Sequence, residues 1–241
     1  MTIIGVSGLA GSGKDTVADF IIEEVFGVAR VSLADPMKRI CRDVYDFSEE
    51  QLWGPSEMRN KPDKRYPRSC KECGGKGDRV YEDMPPGSPA LHPCMACHGN
   101  PVTYLTPREA LQKLGTEWAR HCYEDTWVEM AIRTAKTLLS AEHYNYSQVQ
   151  GLRATTQAIQ TEGVVIPDVR FRNEIKCIKE AGGVVFRVRR SSSLKGGAAQ
   201  HLSETEQAEI PDSVFDLVID NQGSLDDLRV KVSEIASRYF R

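Results

Sequence analysis

The chain has 241 residues, 40% of them hydrophobic and 27% charged, enough for one large domain, or one domain carrying an insert, with a substantial core. Its 31 lysines and arginines against 34 acids leave a net charge of −3, which argues against a globally basic nucleic-acid binder and leaves only a local basic patch open. No apolar stretch approaches the roughly 20 residues of a membrane-spanning helix and Met1 to Gly5 carries no basic signal region, so a soluble, cytoplasmic protein with no membrane partner is expected.

Along the chain, Thr2 to Ser7 is a short apolar run that passes through glycines into Val17, Phe20, Ile21 and Val25 at helical spacing, predicting strand, loop and helix. Gly27 ends that helix as a C′ glycine, and Val28 to Leu33 reads as a second strand. Asp35 as N-cap and Pro36 at N1 open the next helix, with Met37, Ile40, Cys41 and Val44 on its apolar face. From Gly54 to Leu105 the helical period lapses and eight of the twelve prolines gather. This predicts a loop-rich insert at 54–105 in a core made of 1–53 and 106–241. Order returns at Thr106-Pro107-Arg108-Glu109, read as a capping box, with Leu111, Leu114 and Trp118 on one helix face. A helix from Asp125 turns Trp127, Met130, Ala131 and Leu138 inward, and 143–162 is polar and aperiodic. Val164 to Ile166 reads as a strand leading to Asp168 and a short helix with Ile175 and Ile178. Gly183 to Val188 and Val214 to Ile219 are further strands, and Ser224 caps a closing helix. Strands alternating with helices predict an α/β fold with a mainly parallel sheet flanked by helices.

The segment Gly8-Leu9-Ala10-Gly11-Ser12-Gly13-Lys14-Asp15-Thr16 lies between a strand and a helix, where a glycine-rich loop can wrap its amides around phosphate oxygens. The helix start at Lys14 aims its positive dipole end at the anion, and the Lys14 ammonium can reach the outer phosphates of ATP. Asp15 occupies the Ser/Thr place of the strict G-x-x-x-x-G-K-[ST] pattern, so Thr16 is the candidate hydroxyl for Mg²⁺. The alternative is an ordinary glycine-rich turn.

Four of the seven cysteines form C-x2-C-x20-C-x2-C as Cys70, Cys73, Cys94 and Cys97, a spacing that suits a four-thiolate zinc site. A disulfide closing such a loop stabilises by about 3 kcal/mol, whereas zinc contributes roughly 10–16 kcal/mol in finger peptides. Zinc is therefore the expected organiser of the insert, and a closed shell of four thiolates makes it structural. His92 and His98 lie close enough in sequence to replace a cysteine. Arg59 to Arg79 holds eight basic residues against three acids, a patch that is either solvated surface or a phosphate or single-strand contact.

In an open parallel sheet ligands sit beyond the carboxyl ends of the strands, and polar clusters fall there at Asp35 to Arg39, Asp168 to Glu174 and Arg187 to Lys195. Asp168 reads as a Mg²⁺ or acceptor-orienting carboxylate, or as the cap of the helix after it. The run Arg187, Arg189, Arg190 and Lys195 before Gly196-Gly197 suits a mobile cationic lid, with a solvated strand end as the alternative. Trp127 is a candidate for stacking on a base and Trp118 a second, although tryptophans at helical spacing are more often core. His201 and Glu204 beside the lid default to surface or capping duty.

Gly8 to Thr16, Leu33-Ala34-Asp35-Pro36-Met37-Lys38, Leu111 to Arg120, Trp127-Val128, Asp168 to Glu174 and Asp220 to Leu225 together resemble the phage-type deoxynucleoside monophosphate kinases, a P-loop kinase family. The resemblance spans most of the chain, and the cysteine module departs from it. It implies a P-loop kinase-like fold and transfer of the ATP γ-phosphoryl group to a deoxynucleoside monophosphate, in the host cytoplasm if the gene is a phage's. Gly11, Ser12, Gly13, Lys14, Asp15 and Thr16 would hold ATP and Mg²⁺. Lys14, Arg120, Asp168 and Arg172 would act in transfer, and Asp35, Lys38, Arg65, Gly115, Thr116, Trp127, Asp168 and Glu174 would bind the acceptor. A kinase of the dephospho-coenzyme A kind shares the loop and general order, and an ATPase reading nucleic acid through the zinc module is a third reading, disfavoured by the acidic charge. The sequence is compatible with a homo-oligomer.

Overall fold

A computed structural model of the protein describes residues 2–81, 91–191, 206–207 and 209–240. The chain divides into two compact units, residues 1–39 with 118–241, and residues 40–117. The second takes in the 54–105 stretch together with the helices on either side of it.

The first unit is built on five strands, β1 (Thr2–Ser7), β2 (Val28–Arg30), β3 (Gly163–Val169), β4 (Val184–Arg189) and β5 (Leu217–Asp220). They lie in the order β5-β4-β1-β3-β2, and every pair is parallel. The helices are α1 (Lys14–Glu24), α2 (Asp35–Tyr45), α3 (Thr126–Ser140), α4 (Arg172–Glu180) and α5 (Leu225–Tyr239). Side chains alternate across the sheet as a period of two requires. Ile3, Val164, Ile166 and Val185 join the buried residues of α3 and α4, while Ile4, Val6, Val165 and Phe186 join those of α1 and α5. This is the helix-covered parallel α/β layer that the alternation of elements predicts.

One irregularity positions a site residue. β1 and β3 run in register from Thr2↔Gly163 to Gly5↔Ile166, and the register then shifts so that Ser7 faces Val169. The extra residue falls at Pro167-Asp168, where proline has no N–H to give to a ladder. A bulge there bends the strand and re-aims the side chain next to it.

Several expectations are corrected. β2 stops at Arg30, and Asp35 is the first residue of α2 rather than its cap. Val25 is the C-cap of α1, so Gly27, at φ 83°, lies two residues beyond it. Of the apolar face expected on α2, Cys41 is buried but Ile40 and Val44 are exposed. The polar 143–162 stretch contains an antiparallel ribbon, Tyr144–Ser147 with Gly151–Ala154. The polar, aperiodic sequence gives no strand signal there, because both strands are short and largely solvent-facing.

In the second unit Cys41, Phe47, Leu52, Leu105 and Ala110 form a small core, with the Tyr45 and Phe47 rings stacked at 5.3 Å and Tyr66 edge-on to both. Thr106 Oγ1 accepts the Glu109 amide at 3.1 Å with Pro107 at N1. The reciprocal half of the expected capping box is replaced by a fork, in which both Glu109 oxygens accept from Arg68 at 2.6 Å. The helix Pro107–Gln112 then passes into a π-helical turn, Lys113–Ala119.

Ile178 is fully buried where α4 covers the sheet. Ile178→Ala should cost about 2–5 kcal/mol, read as a lower denaturation midpoint at unchanged slope; a shift under about 0.5 kcal/mol would contradict this packing.

Candidate active site

The loop after β1 is held in shape by its neighbours. A Cβ on Gly8 would press on Ser12 Oγ and meet the Val188 carbonyl oxygen at 2.7 Å, so the loop closes only without one. Gly13 has φ 93°, and a Cβ there would collide with the Asn221 amide, a backbone state and a proximity that both require glycine. Asn221, buried at the end of β5, donates Nδ2–H to the Ser12 carbonyl at 2.9 Å. Sequence reasoning gave Asn221 no role, although its Asp-Asn-Gln-Gly setting was visible. Ser12 Oγ is buried without a hydrogen-bond partner among the described residues, a polar group turned toward a loop built for oxygens.

α1 begins at Lys14, directly on this loop. Lys14 Nζ lies 3.0 Å from Asp15 Oδ2, and Asp15 Oδ1 accepts Arg30 Nη2 at 3.0 Å. Partial burial would raise the Asp15 carboxyl, but Lys14 and Arg30 prevail and hold it below its usual range. Asp15 thus serves as a counter-ion to Lys14, a use that a Ser or Thr at its place could not provide. Thr16 comes next on the first turn, half-buried.

Beside the loop lies a cavity of about 390 Å³, lined by Leu9, Ser12, Arg187, Arg189, Ser191 and Gln222 among others. The Gln222 Oε1 accepts both the amide and the hydroxyl of Ser191, at 3.2 and 2.6 Å. Two of the arginines read as a mobile lid are engaged, Arg187 with Asp212 at 3.1 Å and the Gln207 carbonyl at 3.2 Å, Arg189 with Asp212 and Asp220 at 2.5 and 2.8 Å, while Arg190 lines the cavity. Lys195, Gly196, Gly197, His201 and Glu204 lie outside the described residues.

At the carboxyl end of β3 the Asp168 carboxylate takes three donors from the loop between β2 and α2. They are Ser32 Oγ at 2.6 Å, the Leu33 amide at 2.9 Å and the Ala34 amide at 3.0 Å. The helix-cap reading of Asp168 is thereby overturned. The amides that precede α4, those of Arg170 and Phe171, go instead to Glu174 Oε2 at 2.7 and 3.0 Å. The same β2–α2 loop leads into Asp35, fully buried, whose Oδ2 accepts the Tyr146 hydroxyl at 3.0 Å. Lys38 lies one turn later on α2, half-buried.

Burial pushes the Glu174 carboxyl up to about 7 against the pull of the two amides and of Arg120, whose Nη1 is 3.7 Å away. The Arg120 guanidinium stacks on Phe171 at 3.8 Å and donates to Asn173 Oδ1 at 3.2 Å. Arg172 is exposed and donates to the Glu209 carbonyl at 3.1 Å. Trp127 is 7% exposed within the core over which α3 packs. Most of its indole is packed in that core, as its helical spacing allows.

Gly115, Thr116 and Arg65 belong to the second unit. The first two lie in the π-helical turn. Arg65 is fixed by Asp63 at 2.8 Å and Asp46 at 3.0 Å; its hydrogen bonds hold the Asp63 carboxyl far below the usual carboxylate range. Arg68 and Arg79 are likewise paired, with Glu109 and Glu72. Three arginines of the basic stretch, Arg65, Arg68 and Arg79, are thus ion-paired, Arg59 donates to the Leu52 and Gly54 carbonyls at 3.4 and 2.8 Å, and Lys61, Lys64, Lys71 and Lys76 are exposed.

The four cysteine sulfurs are buried and lie within 4.8 Å of one another, with Cys70–Cys94 at 3.9 Å and Cys73–Cys97 at 3.8 Å. Four sulfurs about 2.3 Å from a tetrahedral ion sit about 3.8 Å apart, so the donor set fits a metal and is too open for disulfides. The two knuckles match: the Gly75 and Lys76 amides bond the Cys70 and Cys73 carbonyls, as those of Gly99 and Asn100 bond Cys94 and Cys97. Neither His92 nor His98 joins the cluster.

Parallel strands in this order, a glycine loop between the central strand and α1, and a lysine at the helix start define a P-loop kinase-like α/β fold. No family model matches the chain. It is 26% identical over 227 residues, 94% of this chain and 92% of the other, to a protein of Acanthamoeba polyphaga mimivirus named "Putative deoxynucleotide monophosphate kinase". Among the described residues no helix is long and apolar enough to cross a membrane.

Asn221→Ala would leave the Ser12 carbonyl without its buried donor, a loss of about 1–3 kcal/mol. Amide hydrogen exchange at residues 9–13 should speed up markedly while that of α3 stays slow; unchanged exchange in the loop would show that Asn221 does not hold it.

Proposed function

We propose that the protein is an ATP-dependent nucleotide kinase that phosphorylates deoxynucleoside monophosphates to diphosphates. The observation that carries this reading is the phosphate loop, whose glycines, buried Ser12 hydroxyl, Asn221 brace and Lys14 are arranged to receive oxyanions. The viral relative and the resemblance across most of the chain support the choice of acceptor.

In the proposed reaction an oxygen of the acceptor phosphate attacks the γ-phosphorus of ATP in line as the bond to the β–γ bridging oxygen breaks, and ADP leaves. Amides of residues 11–16 and the Lys14 ammonium hold the triphosphate, with Asp15 releasing Lys14 to it. Thr16 would hold the Mg²⁺ that accompanies ATP, and the ion would supply charge neutralisation to the triphosphate. The cavity beside the loop is the candidate place for the ATP nucleoside. Arg120, Arg172 and Lys38 are assigned to the acceptor phosphate. Asp168 and Glu174 act by positioning: one fixes the β2–α2 loop that leads into Asp35 and Lys38 on α2, the other the turn of Arg170 and Phe171 that leads into Arg172. Arg65 is left a structural role by its carboxylates.

The four thiolates are assigned to a structural Zn²⁺. Zinc analysis should give one ion per chain and Cys94→Ser should abolish it, with loss of protease resistance in 54–105; a protein equally resistant after chelation would remove zinc from the account.

The functional test is ADP release from ATP and Mg²⁺ across deoxynucleoside and nucleoside monophosphates, dephospho-coenzyme A and single-stranded DNA, with products separated by chromatography. A deoxynucleoside diphosphate formed in step with ADP is the expected result, and Lys14→Ala should lower its rate by at least about 100-fold, of the order of one lost transition-state contact, without lowering the melting temperature. Turnover only with dephospho-coenzyme A, or hydrolysis stimulated only by DNA, would overturn the reading.

A further inference from the structure

The four cysteines close one end of a ribbon whose other end is clamped to a helix. Pro67–Ser69, which runs into Cys70, pairs antiparallel with Val102–Tyr104, which follows the second knuckle. The Cys70 amide donates to the Pro101 carbonyl at 3.2 Å, so the pairing continues up to the cluster. Each strand has only three residues, and a lone two-stranded ribbon is marginally stable at best. The register that sets Arg68 opposite Thr103 therefore depends on what joins the strands beyond it, the buried cysteine cluster.

From that register Arg68 reaches the helix Pro107–Gln112. Its guanidinium donates to both Glu109 oxygens at 2.6 Å and to the Tyr104 carbonyl at 3.4 Å, and its own carbonyl accepts Thr103 Oγ1 at 3.4 Å. Glu109 lies in the first turn of the helix, where Thr106 caps its amide. The two side chains are 37% and 33% exposed, and a two-pronged arginine–carboxylate pair fixes orientation as well as distance. Among the described residues it is the one ion pair from the ribbon to this helix. The helix then widens into the π-helical turn Lys113–Ala119, which passes straight into Arg120. A residue of helical turn carries about 100° of rotation, so the pitch of the turn decides where the residues after it point; Trp118 is 56% exposed and Ala119 1%.

We propose that Arg68 and Glu109 are positioning residues that couple the metal site to this helix. With zinc on the four thiolates the ribbon keeps its register, the fork from Arg68 to Glu109 forms, and the turn leading to Arg120 is held in the form that favours the acceptor. The metal site is then an effector of the helix as well as a staple for its own loops. The bearing on the acceptor rests on the nucleotide kinase reading; the coupling of metal to helix stands without it. Such coupling is reciprocal, so breaking the fork also weakens zinc binding.

The test uses the full chain as wild type, Arg68→Ala, Arg68→Lys and Glu109→Gln, each with zinc bound and after chelation. Loss of a two-pronged, half-exposed pair corresponds to about 2- to 10-fold in an equilibrium constant. In wild type, chelation should speed amide hydrogen exchange at 107–117 within that range. In Arg68→Ala and Glu109→Gln exchange there should be fast with zinc still bound and chelation should add nothing, while the Gly75 and Gly99 amides stay protected. Zinc affinity, read by competition with a chromogenic chelator, should fall in both variants within the same range. KM for dTMP should rise likewise with kcat and KM for ATP unchanged, and Arg68→Lys should recover part of each loss. Exchange at 107–117 that ignores zinc in wild type, or that answers to zinc as strongly in both variants, overturns the coupling. The expected exchange with an unchanged KM for dTMP overturns its bearing on the acceptor alone. A wild-type protein that phosphorylates no nucleoside monophosphate overturns the functional reading, and the exchange result still decides the coupling.

Discussion

The hydrogen bond from the Asn221 side chain to the Ser12 carbonyl joins residues 209 apart in sequence, and the shape of the phosphate loop depends on it. A loop rich in glycine is entropically costly to order, and its amides converge only when something outside it fixes the turn. The parallel sheet provides this, because β1 delivers the loop and β5, two strands away, ends at Asp220, next to the residue that braces it. The same amide occupies the space a Cβ on Gly13 would need. Local composition and distant topology therefore specify one conformation together.

A second long-range contact organises the other side of the crevice. The bulge at Pro167-Asp168 turns a carboxylate toward the β2–α2 loop, where it takes one hydroxyl and two amides. Hydrogen bonds to a charged group are worth about 1.5–3 kcal/mol each, so the start of α2 is fixed without a side-chain cap of its own. Glu174 does the corresponding work for the turn into α4. Asp168, which the sequence places in transfer and acceptor binding, and Glu174, which it places in acceptor binding, each anchor in the fold the loop that leads into a helix.

The parts of this arrangement legible in the sequence are those set by short-range pattern. The glycine loop, the alternation of strand and helix, the cap at Ser224 and the paired cysteine knuckles depend on residues within a few positions of one another. The partners of Asp168 lie about 135 residues away, and nothing local in Val164 to Val169 announces a bulge beyond the proline itself. The charge of the basic stretch from Arg59 to Arg79 is likewise offset in part from a distance, because Asp46 and Glu109, which pair with Arg65 and Arg68, lie outside it. Trp118 and Trp127 show how little periodicity settles when the helix itself changes pitch: two similar patterns end in opposite environments.

The proposed direct transfer requires that donor and acceptor nucleotides be held at once. Its most direct measurement is calorimetric titration of the protein with adenosine joined through five phosphates to deoxythymidine, beside ATP and dTMP alone. Binding of one molecule per chain, tighter than either nucleotide and displaced by both, is the predicted result. An analogue that binds no better than ATP and is displaced by ATP but not by dTMP would contradict it, leaving a phosphate loop without an adjoining acceptor site.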